Sequence, residues 1–320
     1  MGSHLSSFSA RLQTSPPPAR ASRAAPWLDL PSRPQTIEAA GKKSRKGRPR
    51  MTPRDLEGRT ALVTGSANGL GRSIALKLAE RGASVIINCT KSIADGEATV
   101  ADCQKAGAQA RLVVADVSTD EGCSKLAEAA AQAGRLDILV NNAGITKHAR
   151  DHSDLDALSR DDFLNLYSVN VAGPFIMMQK TRSLLVEAHK QTGRASTVLN
   201  VSSIAGVAGV GSSVAYAASK GAFNTMTISL ARALAPAIRV NAICPGFIGT
   251  RWFKDTMSEE QYMKMEAGVA ASVPLNVASG PDDIADSALF LLSDASRHIT
   301  GETLLVDAGM HLGYAPLKAR

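Results

Sequence analysis

The chain has 320 residues and a formal net charge of +7, from 36 lysines and arginines against 29 aspartates and glutamates. Aromatic residues make up only 4% of it, whereas alanine, glycine, valine and leucine are abundant, as is typical of helices packed tightly on a parallel sheet. No apolar run reaches membrane-spanning length and no internal repeat is present. These absences exclude membrane-embedded and solenoid classes, and we expect a soluble protein without a membrane partner.

The positive charge is concentrated at the N-terminus. Residues 1–54 carry eleven basic side chains and two acids, whereas residues 55–320 carry 25 basic and 27 acidic side chains. This Pro/Ser/Arg-rich extension lacks an apolar pattern, so we expect 1–54 to be disordered and 55–320 to form one folded domain. We interpret the extension first as a tag with upstream translation, because Met51 resembles a natural start. An organelle transit peptide and a nucleic-acid-binding tail are less favoured alternatives.

A strand, a glycine turn and a helix are predicted in succession at the start of the second segment. The apolar run 60–64 leads into the turn Gly65-Ser66-Ala67-Asn68-Gly69-Leu70-Gly71, and residues 72–80 follow with helical spacing. Such a turn lets the backbone approach a pyrophosphate, and the helix N-terminus offers free N–H groups to it. The spacing differs from G-x-G-x-x-G, so a glycine turn without a ligand is the alternative.

Short buried strands are predicted further along the chain, alternating with helical stretches. They lie at residues 84–87, 112–115, 138–140, 197–199 and 238–241. This alternation predicts an α/β fold, a doubly wound parallel sheet with helices on both faces. The remaining length suits one such domain.

A phenol and an ammonium lie four residues apart at Tyr216 and Lys220, thirteen residues after Ser203. On a helix this spacing puts both groups on one face, and a nearby cation favours the phenolate and lowers its pKa toward neutral pH. Tyr216 would then act as a general acid and base while Ser203 hydrogen-bonds a carbonyl or alcohol oxygen. A solvated pair on a helix surface is the alternative interpretation.

Together these patterns resemble the short-chain dehydrogenase/reductase family, from about Leu56 to Gly313. Within that family it is similar to the 3-oxoacyl-acyl-carrier-protein reductases, a similarity shared by many bacterial members that act on other substrates. Five motifs occur in family order: Thr64 to Gly71, Asn141-Asn142-Ala143-Gly144, Asn170 in Ser168-Val169-Asn170-Val171, Ser203 with Tyr216 and Lys220, and Pro245 to Thr250. The resemblance implies a single-domain Rossmann fold and an NAD(P)-dependent oxidoreductase that acts on CH–OH groups.

The resemblance also implies a catalytic set of Asn170, Ser203, Tyr216 and Lys220. Tyr216 would exchange a proton with the substrate oxygen, and Ser203 would position that oxygen and share its developing charge. Lys220 would grip the nicotinamide ribose, and Asn170 would hold a water between Lys220 and solvent.

Cofactor contacts are implied along the whole chain. In chain order the expected contacts are Gly65, Ser66, Asn68, Gly69, Leu70, Gly71, Thr90, Lys91, Asp116, Val117, Asn142, Ala143, Gly144, Tyr216, Lys220, Pro245, Gly246, Ile248 and Thr250. Asp116 would contact adenine, Asn142 would fix the central sheet, and Gly144 would let the ribose approach.

The end of the second strand bears on the choice of cofactor. An NAD-selective site places an acid there to bind the ribose 2′-hydroxyl, but residues 85–92 contain none. Thr90 and Lys91 are suited to a 2′-phosphate, which favours NADP(H), with NAD(H) as the alternative. Asn68 counts against this choice, because many NADP-using relatives carry Arg or Lys at that place.

The substrate is the least constrained part of the prediction. Residues 251–275 resemble a mobile lid and carry aromatic and methionine side chains that suit either an apolar substrate or ordinary packing. A 3-oxoacyl-thioester reductase is the first interpretation. Alternatives are a dehydrogenase of a sugar, steroid or cyclic alcohol, and a non-catalytic dinucleotide-sensing regulator. By resemblance we expect a homotetramer or homodimer.

The remaining polar residues suggest no metal. Cys89, Cys103, Cys123 and Cys244 are scattered, which indicates reduced thiols and a cytoplasmic location rather than disulfides. His148, Asp151 and His152 form the one cluster of metal-ligand types, and we interpret it as a polar loop. Nucleic acid is an unlikely partner because residues 55–320 are not basic.

Overall fold

The structure is a computed structural model, and it describes residues 54–149, 151–251 and 257–313. The strands are β1 Thr60–Val63, β2 Ser84–Cys89, β3 Ala110–Val114, β4 Ile138–Asn141, β5 Ser196–Val201, β6 Ile238–Pro245 and β7 Thr303–Val306. The helices are α1 Gly69–Glu80, α2 Ile93–Lys105, α3 Asp120–Gln132, α4 Arg160–Tyr167, α5 Gly173–Thr192, α6 Ala205–Ala208, α7 Val214–Leu234, α8 Glu259–Ser272 and α9 Pro281–Leu292. A π-helical turn, Ser168–Ala172, joins α4 to α5.

The strands form one parallel sheet in the order β3-β2-β1-β4-β5-β6-β7. The predicted strand positions are confirmed; the runs in β1, β2, β4, β5 and β6 are almost fully buried on both faces, whereas β3 at the edge of the sheet is only partly buried. The chain runs outward from β1 to β3 and then crosses back to β4, so the strand order reverses between β1 and β4. In open α/β sheets, ligands bind at this switch point, beyond the carboxyl ends of the strands.

Two apolar layers cover the sheet, as a doubly wound fold requires. On one face, Ile74 and Leu78 of α1 pack with Ile284 and Leu289 of α9. On the other face, residues of α3, α5 and α7 pack against the sheet, with Leu126 and Met177 fully buried. The single-domain doubly wound fold is therefore confirmed for the described residues. None of the described helices is long and apolar enough to cross a membrane.

Candidate active site and cofactor cleft

The glycine turn is held in place by Asn88, near the end of β2. The backbone amide of Gly65 donates to Asn88 Oδ1 (3.0 Å), and the backbone amide of Asn88 donates to Ser66 Oγ (3.0 Å). Asn88 Nδ2 donates to the carbonyls of Val113 (3.1 Å) and Ala115 (3.0 Å) at the end of β3. One buried side chain thus fixes the turn to two strands, and the sequence analysis assigned it no role.

Asn142 joins the same turn to the end of β4. Its Nδ2 donates to the carbonyls of Thr64 (3.0 Å) and Gly65 (2.8 Å). A Cβ at Gly65 would lie 2.8 Å from the Cα of Ala143, and a Cβ at Gly71 would lie 2.5 Å from the Gly65 carbonyl oxygen. Only glycine fits at these two places, because the backbone segments touch there.

The N-terminus of α1 opens onto a cleft of about 340 Å³. Asn68 occupies the N-cap position but makes no capping hydrogen bond to the first turn, so N–H groups of that turn stay available to an anion. The cleft is lined by Asn68 and Gly69 on one side and by Thr250 and Arg251 on the other. Its position at the start of α1, where the side chain of Asn68 does not cap the first turn, fits the pyrophosphate of a dinucleotide.

Asp95 lines this cleft and connects Asn68 with Arg251. Its carboxylate accepts hydrogen bonds from Asn68 Nδ2 (3.4 Å) and Arg251 Nη1 (3.0 Å). These bonds, that from Asn68 foremost, lower the pKa of Asp95. The first acid after β2 is therefore already neutralised by an arginine.

Helix α7 presents Tyr216 and Lys220 on one face, as their spacing predicts. Ser213 starts the helix, and its buried hydroxyl accepts from the Tyr216 amide (3.1 Å). Ser203 follows β5; its Oγ accepts from the Ala205 amide (3.1 Å), and its hydroxyl is near enough to the Tyr216 hydroxyl to lower the pKa of the phenol. The structure thus brings Ser203, Tyr216 and Lys220 together beyond the carboxyl end of the sheet.

The electrostatics of Tyr216 differ from the prediction. Desolvation raises the pKa of its hydroxyl above the ordinary value, and the neighbouring Ser203 hydroxyl opposes that rise. Lys220 was expected to lower this pKa. Its Nζ instead donates to the Val201 carbonyl (2.9 Å) and lies 5.7 Å from the centre of the Tyr216 ring. The phenol is consequently protonated at neutral pH in this structure.

Lys220 is buried, and burial lowers its pKa from 10.5 to about 8. Its ammonium lies below Gly144, where a Cβ would be 3.6 Å from Nζ and 3.3 Å from Asn170 Oδ1. A side chain at position 144 would crowd this corner, which fits the expected approach of a ribose.

Asn170 lies in the π-helical turn and its side chain is engaged with the protein. Oδ1 accepts from the Ile145 amide (2.9 Å), while Nδ2 donates to the Ile145 carbonyl (3.0 Å) and to Ser219 Oγ (3.1 Å). Both N–H groups of the amide are used, so only an oxygen lone pair of the side chain is left to accept from a water. Asn170 thereby ties the segment after β4 to α7.

The other expected cofactor residues occupy different surroundings. Thr90 and Lys91 are exposed just after β2. Asp116 is exposed after β3, and its Oδ1 accepts from the Ser118 amide (2.9 Å). Val117 is only 5% exposed and packs in the core, which leaves mainly its backbone for contact with a ligand.

The predicted lid is partly described. Residues 252–256, which include Trp252 and Phe253, lie outside the described residues. Tyr262 of α8 is buried and packs on the segment after β6, where a Cβ at Gly249 would lie 2.5 Å from its Oη. Met263 is 62% exposed, so the predicted apolar stripe is divided between packing and surface.

The polar loop after β4 makes hydrogen bonds within itself and one contact with Gly211. Asp151 Oδ1 accepts from the amide (2.9 Å) and hydroxyl (2.6 Å) of Ser153, and His152 Nε2 lies 3.3 Å from the Gly211 carbonyl oxygen. Within the described parts of the chain, no cluster of three His, Cys, Asp or Glu could hold a metal ion. The four cysteines are buried and unpaired.

Comparisons with known proteins give this site its context. The family model described as enoyl-(acyl carrier protein) reductase matches residues 65–311. A Streptomyces violaceoruber protein, named as ketoacyl reductase 2 of the granaticin polyketide synthase, is 38% identical over 80% of this chain and 97% of its own. The 3-oxoacyl-[acyl-carrier-protein] reductase of Staphylococcus aureus is 35% identical over 79% of this chain and 98% of its own.

A solved structure shows the same architecture. This Burkholderia xenovorans protein, described as a short-chain dehydrogenase/reductase, superposes with a TM-score of 0.73 at 38% identity, covering 80% of this chain and 98% of its own. The parallel sheet, the glycine turn and the similarity to these relatives all indicate the same family. The chain belongs to the short-chain dehydrogenase/reductase family of NAD(P)-using oxidoreductases.

Proposed function

We propose that this protein is an NADP(H)-preferring reductase of 3-oxoacyl thioesters that uses Asn170, Ser203, Tyr216 and Lys220. The observation that carries the proposal is the meeting of Ser203, Tyr216 and Lys220 beyond the carboxyl end of the same sheet whose glycine turn borders a cleft suited to a dinucleotide. The relatives named as ketoacyl and 3-oxoacyl reductases support the substrate class.

The residues of the site divide the chemistry among them. The bound nicotinamide supplies the hydride that reduces the carbonyl carbon. Ser203 donates a hydrogen bond to the carbonyl oxygen and stabilises the charge that develops on it. Tyr216 gives its proton to that oxygen, and its raised pKa keeps the phenol protonated and ready for reduction at neutral pH.

Lys220 and Asn170 complete the proposed catalytic set. Lys220 has a pKa of about 8, so its ammonium is present at neutral pH, where by resemblance to the family it would hold the nicotinamide ribose. Asn170 holds the Ile145 segment against Ser219 on α7, which fixes the wall around Lys220.

The preference for NADP(H) is supported by the charges around β2. Strand β2 and the loop after it contain no acid before Asp95, and Asp95 is paired with Arg251. Lys91 is exposed next to Thr90 at the same edge. A 2′-phosphate there would meet a lysine rather than an unpaired carboxylate.

Titration with NADPH and NADH in parallel tests this preference. Lys91→Ala is expected to weaken NADPH binding about tenfold and to leave NADH binding unchanged, since only NADPH carries the 2′-phosphate. Lys125→Ala, which removes a similar exposed charge on α3, is the control and should change neither constant. Equal losses for both nucleotides in Lys91→Ala would contradict the assignment.

Oxidation of NADPH in the presence of acetoacetyl thioesters, cyclic ketones and keto sugars tests the substrate class. Thioester turnover well above that of the other carbonyls is the expected result. Selective turnover of a cyclic ketone or keto sugar would replace the proposed substrate, while binding of neither nucleotide would refute the cofactor and the reaction together.

A further inference from the structure

Helix α6 lies directly against the backbone of α7 at Lys220. A Cβ at Gly206 would lie 2.5 Å from the carbonyl carbon of Lys220 and 2.7 Å from the amide nitrogen of Gly221. The Gly206 amide donates to the Ser203 carbonyl (3.0 Å), so α6 is continuous with the segment that carries Ser203. The placement of Ser203 relative to α7 therefore depends on this backbone contact.

Asn224 holds the contact together. It follows Tyr216 by eight residues and Lys220 by four, so the three side chains share one face of α7. Its Nδ2 donates to the Gly206 carbonyl (3.3 Å), and its Oδ1 accepts from Cys244 Sγ (3.6 Å). A single side-chain amide thus joins α7, α6 and the end of β6.

The position of Cys244 makes this junction relevant to the site. Cys244 is fully buried and precedes Pro245 and Gly246, two of the expected cofactor contacts. Burial raises the pKa of its thiol, which stays protonated and able to donate to Asn224. The Ile204 amide donates to the Pro245 carbonyl (2.9 Å), so the Ser203 segment and the end of β6 are also joined directly.

We infer that Asn224 is a positioning residue, whose amide fixes the Ser203 segment and the end of β6 against the face of α7 that carries Tyr216 and Lys220. This inference rests on the proposed function, since positioning has a kinetic consequence only if Ser203 and Tyr216 act on one substrate oxygen. Asn224 lies behind the site and acts through Gly206 and Cys244.

Asn224→Leu is the first test, because leucine has the same branching at Cγ and its side chain makes no hydrogen bond. We expect kcat for reduction of the best carbonyl substrate to fall about tenfold or more, since small misplacements of reacting groups carry large rate penalties. The Kd for NADPH should change much less than kcat. If the substitution only destabilised the fold, kcat would not fall more than NADPH binding weakens.

The pH profile gives a second readout that general destabilisation would not move. The neighbouring Ser203 hydroxyl lowers the pKa of Tyr216, so displacement of Ser203 should raise that pKa and move the alkaline limb of the reduction profile to higher pH. Thr227→Val is the matched control. Thr227 is buried one turn further along α7. Its hydroxyl donates to the Phe223 carbonyl and accepts from Asn200 Nδ2, and among the described residues it makes no hydrogen bond to Gly206 or Cys244. This control should lower Tm and leave the profile in place.

Crystal structures of the wild type and Asn224→Leu decide the matter independently of turnover. The expected result is a displacement of Ser203 and α6 relative to Tyr216. An unchanged arrangement, or a variant with the kcat and pH profile of Thr227→Val, would overturn the inference. If Asn224→Leu does not fold, Asn224→Ser retains a short hydroxyl, and the same displacement and kcat loss are expected of it. A wild type that reduces no carbonyl would refute the proposed function while the structural comparison still tests the positioning.

Discussion

Tyr216 and Lys220 respond to burial in opposite directions. Desolvation raises the pKa of the phenol and lowers that of the ammonium, because it disfavours the charged form of each. At neutral pH the site therefore holds a protonated phenol close to a charged lysine.

Replacement of Tyr216 by phenylalanine should remove the proton donor and little else. We expect kcat for reduction to fall by about 10²- to 10⁴-fold, the usual contribution of general acid catalysis. The Kd for NADPH, measured by thermal shift, should stay nearly unchanged. Tyr167→Phe, which removes the hydroxyl of the half-buried Tyr167 at the end of α4, is the control and should keep its activity. A Tyr216→Phe variant with wild-type turnover would eliminate the proposed acid.

The depressed pKa of Lys220 predicts a specific pH dependence of stability. Between about 8 and 10.5 the unfolded chain holds a proton on Lys220 that the folded protein has released, so this residue makes stability rise with pH in that window. Below about 8 both states are charged, and the folded state carries the full desolvation penalty.

Lys220→Met removes that penalty without a large change in shape. The variant should have the higher Tm at pH 7 in the absence of cofactor, and its advantage over the wild type should shrink as the pH rises from 8 to 10. Thermal melts of both proteins across this range measure the difference. A constant gap in Tm would mean that Lys220 does not change its protonation in the window.

At the scale of single elements, the start of α7 determines where Tyr216 stands. Ser213 is fully buried and caps the helix through the Tyr216 amide, so the cap and the proposed acid share one turn. Ser213→Ala is expected to cost about 1 kcal/mol of unfolding free energy, as is usual for a lost N-cap. It should also lower kcat, because the turn that orients Tyr216 is loosened.

A cap elsewhere in the fold separates these two effects. Thr119 caps α3 by accepting from the Gly122 amide (3.0 Å), away from Ser203 and Tyr216. Thr119→Ala should show a similar loss of unfolding free energy in denaturant titrations and no loss of kcat. If both variants lose kcat equally, the Ser213 cap has no particular bearing on the site.

The elements themselves were predictable from local patterns. The run 60–64 became Thr60–Val63, and the run 112–115 became the last part of Ala110–Val114. A strand buried on both faces, such as β1, has a continuous apolar run, and the partly buried edge strand β3 has one as well, so both could be recognised without knowledge of their partners. The i and i+4 relation of Tyr216 and Lys220 is equally local.

The electrostatics and the supports of the site were not predictable in this way. The pKa of Tyr216 depends on what buries it, and that is decided by segments distant in sequence. Asn224 bonds to groups 18 and 20 residues away, and Asn88 to the glycine turn 23 residues before it. An amide inside an apolar run, as in β2, was the only sequence signal of such a role.

At the scale of the whole molecule, the order of the strands brings the two halves of the site together. Because β1 and β4 are neighbours in the sheet, the glycine turn after β1 lies beside Asn142 after β4. Because β5 lies between β4 and β6 in the sheet, Ser203 after β5 lies between Gly144 after β4 and Pro245 at the end of β6. The cofactor cleft and the proposed catalytic set are therefore products of one sheet, and residues 55–320 contain every residue to which we assign a role.

Because residues 55–320 contain every residue of the proposed site, removal of the extension should have little effect on activity. Residues 1–54 hold eleven basic side chains against two acids, while residues 55–320 hold slightly more acids than bases. Deletion of residues 1–50 should leave NADPH binding and carbonyl turnover unchanged within about twofold, less than 0.5 kcal/mol in binding free energy. Enzyme assays and thermal shift on the full and shortened chains measure this. Lost turnover would place part of the functional unit in the extension. Salt-sensitive DNA binding by the full chain alone would give the extension a separate electrostatic role, since the charge that attracts phosphates lies there.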